Sequence, residues 1–128
     1  MPPRGIMQDM KGVTKTEIKI GQVYYTSWGY DQTNIDMLRI VSVSPSGKTV
    51  MCRMIGKEDI PESFGLVKPS DNGLHGEPFR MHIKEYGTAP DMHQYLVGSY
   101  PYCEGDKRLG HFGIYDHPVY ETPYNMQR

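Results

Sequence analysis

The sequence predicts an all-β domain, mainly antiparallel, of the small SH3-like or similar barrel type with long loops and at most one short helix. Three observations carry that expectation. Fourteen glycines and ten prolines in 128 residues leave few uninterrupted stretches, which keeps elements short and argues against long helices. The best-patterned stretches repeat with period two or are rich in β-branched side chains, as strands covered by a core on one or both faces require. Only 38% of the residues are hydrophobic, so a single core must be assembled from short elements joined by turns. A chain of this length fits one domain. Residues 1–15 read as a flexible basic arm and residues 16–128 as a single β-rich domain.

In chain order, the arm carries Arg4, Lys11 and Lys15 against Asp9 and shows no periodicity. Glu17-Ile18-Lys19-Ile20 alternates, Gly21 interrupts it, and Gln22-Val23-Tyr24-Tyr25-Thr26 resumes the strand. Ser27-Trp28-Gly29-Tyr30-Asp31-Gln32-Thr33-Asn34 sets two bulky rings around a glycine, beside polar side chains able to bond nearby backbone, and predicts a self-bonded loop. Met37-Leu38-Arg39-Ile40-Val41-Ser42-Val43 is apolar at both parities near its middle, as a central strand covered on both faces should be. Ser44-Pro45-Ser46-Gly47-Lys48 suits a tight turn, with Gly47 at the left-handed position, so Thr49-Val50-Met51-Cys52-Arg53-Met54-Ile55 should return as the second arm of a hairpin. Residues 56–78 read mainly as connection, with room for one helical turn over 60–64. Phe79-Arg80-Met81-His82-Ile83-Lys84 alternates again and leaves Arg80, His82 and Lys84 on an open face. Gln94-Tyr95-Leu96-Val97 forms a further strand ended by Gly98. Residues 104–110 read as a charged turn, and residues 111–115 and 119–122 as two edge strands, since Pro118 and Pro123 donate nothing to a ladder.

Lys plus Arg (14) nearly balances Asp plus Glu (15), which excludes a global positive field drawing the chain to nucleic acid or anionic lipid. Any such contact must be local. No apolar run approaches the roughly 18 residues of a membrane span, and no signal-peptide core follows Met1, so no membrane association and a cytosolic setting are expected. The two cysteines, Cys52 and Cys103, lie in unlike contexts with no disulfide framework around them. His82, His93, Cys103, His111 and His117 lack the pairings that fix a zinc geometry, and the glycines form no phosphate-cradling loop. No metal and no cofactor are expected. Cys103 with His111, and Asp116 with His117, carry no local signature of catalysis, so a non-enzyme is expected.

Trp28 and Tyr30 offer π-faces to a base, and Asp31, Gln32 and Asn34 offer donors and acceptors for its edges; Arg80 and Lys84 could meet phosphate. These seven residues form the candidate ligand site. The competing reading is structural, with Trp28 plugging the barrel and the polar side chains capping backbone. A separate tyrosine-rich candidate surface comprises Tyr95, Tyr100, Tyr102, Tyr115, Tyr120 and Tyr124 with Lys107 and Arg108, tyrosine being enriched at protein interfaces.

The segments Ser27-Trp28-Gly29-Tyr30-Asp31-Gln32-Thr33-Asn34-Ile35-Asp36, Gly98-Ser99-Tyr100-Pro101-Tyr102 and Tyr115-Asp116-His117-Pro118-Val119-Tyr120 resemble a group of small uncharacterised proteins encoded by tailed viruses and plasmids of bacteria and archaea. The likeness spans about residues 21–124 and centres on W-G-Y-D-Q-T-N. Such relatives commonly follow the position of Asp36 with an aromatic pair, where this chain has Met37-Leu38. The resemblance implies a mobile-element origin and the host cytoplasm, or a virion, as location; it supplies no catalytic residue. The expected function is therefore non-enzymatic binding of a nucleic-acid strand or nucleotide by a viral or plasmid protein. The alternative is an inhibitor of a host system, or a virion structural component, that binds a host or viral protein through its tyrosines. The sequence leaves the oligomeric state open.

Overall fold

A hairpin organises the molecule. β3 (Asn34–Val43) and β4 (Thr49–Asp59) pair antiparallel from Met37↔Ile55 to Val43↔Val50, with a bulge between Ile40 and Ser42. The turn closes where Ser44 N donates to Thr49 O (2.9 Å) and Gly47 N to Ser44 O (2.9 Å), with Gly47 at φ 73°. The expected central strand is covered on both faces: Met37 and Leu38, adjacent in sequence and opposite in direction, are both buried. Leu38 and Ile40 point into one cluster, Ile35 and Met37 into another.

The computed structural model describes residues 14–15, 18–87, 91–103 and 105–123, with backbone only for residues 14, 15, 71–75, 91 and 103. Residues 1–13 of the expected arm and Tyr124 of the expected tyrosine surface lie outside the described residues. The remaining strands are β1 (Thr14–Lys15), β2 (Val23–Trp28), β5 (Leu66–Tyr86), β6 (Asp91–Cys103), β7 (Asp106–Ile114) and β8 (Val119–Tyr120), and no helix occurs among the described residues. Strands β2 to β7 form an antiparallel ring in chain order, closed where β7 pairs back onto β2. The architecture is thus a closed all-β barrel of six strands, with β1 added in parallel to β6 and β8 antiparallel to the start of β5. Closure removes the free edges that an open sheet would expose.

Tyr24, Leu38, Ile40, Val50, Cys52, Met81, Leu96, Tyr100 and Phe112 fill the barrel. The second cluster lies outside it, where Val67 of β5 and Val119 of β8 cover Ile35, Met37 and Ile55. Both depend on β5, whose 21 residues serve two partners. It pairs with β4 from Asp59↔Val67 to Thr49↔His82, and with β6 from His82↔Val97 to Tyr86↔His93. Bulges at Cys52/Met54 and Ile55/Lys57 bend the β4–β5 pair as the barrel turns.

Four expectations are corrected. Residues 106–110, expected within a charged turn, begin β7. Most of residues 56–78 is strand, and the connection shrinks to residues 60–65, held by Ser63 Oγ donating to Ile60 O (2.6 Å) and by Glu62 at φ 65°. Gly98 does not end β6, which runs on to Cys103. Residues 111–114 are no edge, because β7 pairs with β6 on one side and β2 on the other; β8 alone is the short margin strand expected near Pro118 and Pro123.

Candidate functional site

At one end of the barrel, β2 finishes with Trp28 and β3 begins with Asn34, its partner in register. Two residues into β3, the alternation turns Asp36 to the barrel side. Its Oδ2 accepts a hydrogen bond from Trp28 Nε1 (2.6 Å) and another from the Tyr100 hydroxyl (2.6 Å). Burial, and then the hydrogen bond and charge of Asp36, push the Tyr100 phenol well above its ordinary value of 10.0, so it stays a donor. The Tyr102 ring meets Trp28 edge-on at 5.7 Å, and the Arg108 guanidinium lies 4.3 Å from the centroid of the Trp28 ring. Trp28 is therefore half-buried and held from both sides.

The loop beyond Trp28 bonds to itself and to the segment after β8. Gln32 Nε2 donates to Asn34 Oδ1 (3.0 Å), Thr33 N to Thr122 Oγ1 (2.8 Å) and Thr122 N to Thr33 O (2.9 Å). A Cβ on Gly29 would stand 2.0 Å from the Gln32 carbonyl oxygen, so the loop closes only around glycine. Asp31 is exposed, and Tyr30 is 99% exposed with its whole ring in solvent. Below the loop, Glu121 Oε2 accepts from Ile35 N (2.8 Å) and pairs with Lys57 Nζ (3.1 Å), which also donates to Ile35 O. Between the β3–β4 strands and the β6–β7 turn lies a cleft of about 550 Å³, bordered by Asp36, Met54, Ile55, Lys57 and Tyr102.

A different surface forms at the other end. On β5, Arg80, His82, Lys84 and Tyr86 are exposed while Met81 and Ile83 turn inward, the period-two pattern of an outer barrel face. The register sets Lys84 opposite Tyr95 and Tyr86 opposite His93 on β6, and Val97 opposite His111 on β7. The rings touch in a row: Tyr86 to His93 at 5.3 Å, Tyr86 to Tyr95 at 5.4 Å and Tyr95 to His111 at 6.1 Å. A shallow depression of about 290 Å³ lies between Tyr86, Tyr95 and His111, over Gly113. Comparison with known protein families, curated proteins and solved structures finds no match.

The candidate ligand residues thus separate into two places. Trp28, Tyr30, Asp31, Gln32 and Asn34 stand at the end where β2 meets β3, whereas Arg80 and Lys84 lie beside the 44–48 turn, where Ile83 N donates to Lys48 O (2.8 Å). The cation that joins Trp28 is Arg108. The tyrosine candidates divide too. Tyr100 is fully buried, Tyr102 packs under Arg108, Tyr115 is half-buried edge-on to Tyr25 with its phenol pushed up by burial, and Tyr120 is 42% exposed. Lys107 is exposed at the rim. Only Tyr95 of that set joins Lys84. Sequence reasoning missed Asp36 and Tyr86, although Tyr86 shares the parity of Arg80, His82 and Lys84 and was readable as their continuation.

Proposed function

We propose that this chain is a non-enzymatic binding protein of a virus or plasmid, and that it takes a single nucleic-acid strand across the outer face of β5, β6 and β7. The observation that carries this reading is the contiguous row of Tyr86, His93, Tyr95 and His111 beside the cations Arg80 and Lys84. Among the described residues of β5 from 80 to 86, of β6 from 93 to 101 and of β7 from 107 to 113, the carboxylate is Glu85, which is exposed on the alternate parity and accepts from Gln94 Nε2 (3.4 Å). Bases stack on open rings irrespective of sequence, and phosphates seek the flanking cations, so this pairing of residue types suits a strand better than a rigid duplex. A shallow, open depression fits an extended ligand laid over it better than an enclosed mononucleotide. The viral or plasmid setting, in the host cytoplasm, rests on the resemblance around W-G-Y-D-Q-T-N.

The test is fluorescence anisotropy of a labelled oligonucleotide across a salt series. With Arg80 and Lys84 as the phosphate contacts, the logarithm of affinity should fall with the logarithm of salt at a slope near −1.4, from about 0.7 per contact on single strands. Lys84→Glu should flatten that slope, and Tyr95→Ala should weaken binding by roughly 5- to 100-fold, as expected for one lost stacking platform. Retention that ignores both salt and these substitutions would remove the proposal.

A further inference from the structure

The barrel end that holds Trp28 carries a second opening, independent of the outer face. Its cleft, about 550 Å³, is of the size that small organic ligands occupy in the mouths of β-barrels. Apolar residues supply much of the wall: Met54, the barrel-side residue of β4, with Pro101 and the Tyr102 ring from β6. Two charged side chains reach it, and they differ in what they have left to offer. Lys57 is already paired with Glu121 at 3.1 Å and donates to the Ile35 carbonyl. Asp36 spends only Oδ2, on Trp28 and Tyr100, while Oδ1 has no hydrogen-bond partner and no cation within salt-bridge distance among the described residues. A carboxylate fixed by two donors on one oxygen is pre-organised to receive a third on the other.

We infer that the barrel mouth is a binding site for a small flat organic cation, an amidine, guanidine or protonated aromatic amine, with its N–H donated to Asp36 Oδ1 and its ring against Met54 and Tyr102. An anion would meet the Asp36 charge without a free cation lining the cleft to offset it, since Lys57 is taken. A neutral apolar molecule would leave that carboxylate oxygen without water or partner, which costs more than the burial of one ring returns.

Benzamidine serves as the probe, with benzamide and benzoate as neutral and anionic isosteres of the same shape. The sole tryptophan gives one indole N–H resonance, and that N–H bonds to the carboxylate in question. Titrating benzamidine into the full chain should shift this resonance saturably, together with the amides of Gly56 and Gly105 on the cleft wall. Benzamide and benzoate should bind at least about tenfold more weakly, the scale of one charge-assisted hydrogen bond. Asp36→Asn should cost a similar factor; if that variant fails to fold, the three-ligand comparison on the native chain decides alone. Equal binding of benzamide, or no saturable shift with benzamidine, would overturn the inference. An oligonucleotide that binds the β5–β7 face should leave the indole resonance in place, so failure at one site is distinguishable from failure at the other.

Discussion

Two buried tyrosines face opposite circumstances. The hydroxyl of Tyr24 is enclosed with no hydrogen-bond partner, whereas that of Tyr100 donates to Asp36. Because an unsatisfied buried hydroxyl costs free energy that a hydrogen atom does not, Tyr24→Phe should leave stability unchanged or raise it by up to about 1 kcal/mol. Tyr100→Phe removes a charge-assisted bond and should lower stability by about 1–3 kcal/mol, both read from urea unfolding. Alkaline pH probes the same interior. Burial raises the Tyr24 phenol from 10.0 to about 12 and the Cys52 thiol from 9.0 to about 12, and it raises Tyr100 further still. Each group gives up its proton more readily unfolded than folded. Their contribution is therefore complete below pH 9 and is lost as pH climbs through the folded values, and Cys52→Ala should move the onset of that decline toward pH 10. A flat urea midpoint from pH 9 to 11 would contradict the burial of these groups. None of this was readable in advance. Ten tyrosines in the composition suggest wet boundaries, but which of them turns inward depends on strand parity, and at Tyr100 on the irregularity between Tyr100 and Cys103, which no residue type announces.

The hairpin of β3 and β4 was legible because its pattern and its turn agree: β-branched residues on both arms and Ser-Pro-Ser-Gly between them. Less legible were β5 and β6, where Pro69, Pro78, Gly76 and Gly98 look like punctuation yet lie inside strands. Gly98 is there to let β6 continue. It faces Gly110 across the pair, and side chains at these two positions would collide with the filling of the barrel. A Cβ on Gly110 would stand 2.7 Å from the Tyr100 ring, which its bond to Asp36 holds in place. Gly110→Ala should therefore destabilise by about 1–3 kcal/mol, as overpacking of a filled core does. Gly113→Ala, on the same strand with nothing within 4 Å of its would-be Cβ, should be neutral or stabilising by up to about 1 kcal/mol. Equal effects in thermal melts would show that Gly110 is not a packing position. The charged run at 104–110 predicts a turn because its charges suggest solvent. The chain instead starts β7 there, with Arg108 laid over Trp28 as a lid.

On the scale of the molecule, a net charge of −1 conceals an uneven distribution. Near the end with β8, Glu58 and Glu121 are paired with Lys68 and Lys57, and Asp59 adds a carboxylate, while Arg80 and Lys84 stand on the outer face of β5 with Glu85 exposed beside Lys84. That face was half visible in the sequence, as the alternation of Arg80, His82 and Lys84. Its other half comes from β6 and β7, and only barrel closure brings Tyr95 and His111 beside Tyr86. A lone tryptophan amid polar residues points the sequence reading to Trp28. In the fold that ring is bonded to Asp36 and packed against Tyr102 and Arg108. The most direct measurement is an NMR titration of the chain with a short single-stranded oligonucleotide at low salt. The account predicts shifts concentrated on the β5–β6–β7 face, at residues 80–86, 93–97 and 111–113, with the Trp28 indole resonance unmoved. Shifts centred on the 28–34 loop and its indole, or none at all, would contradict it.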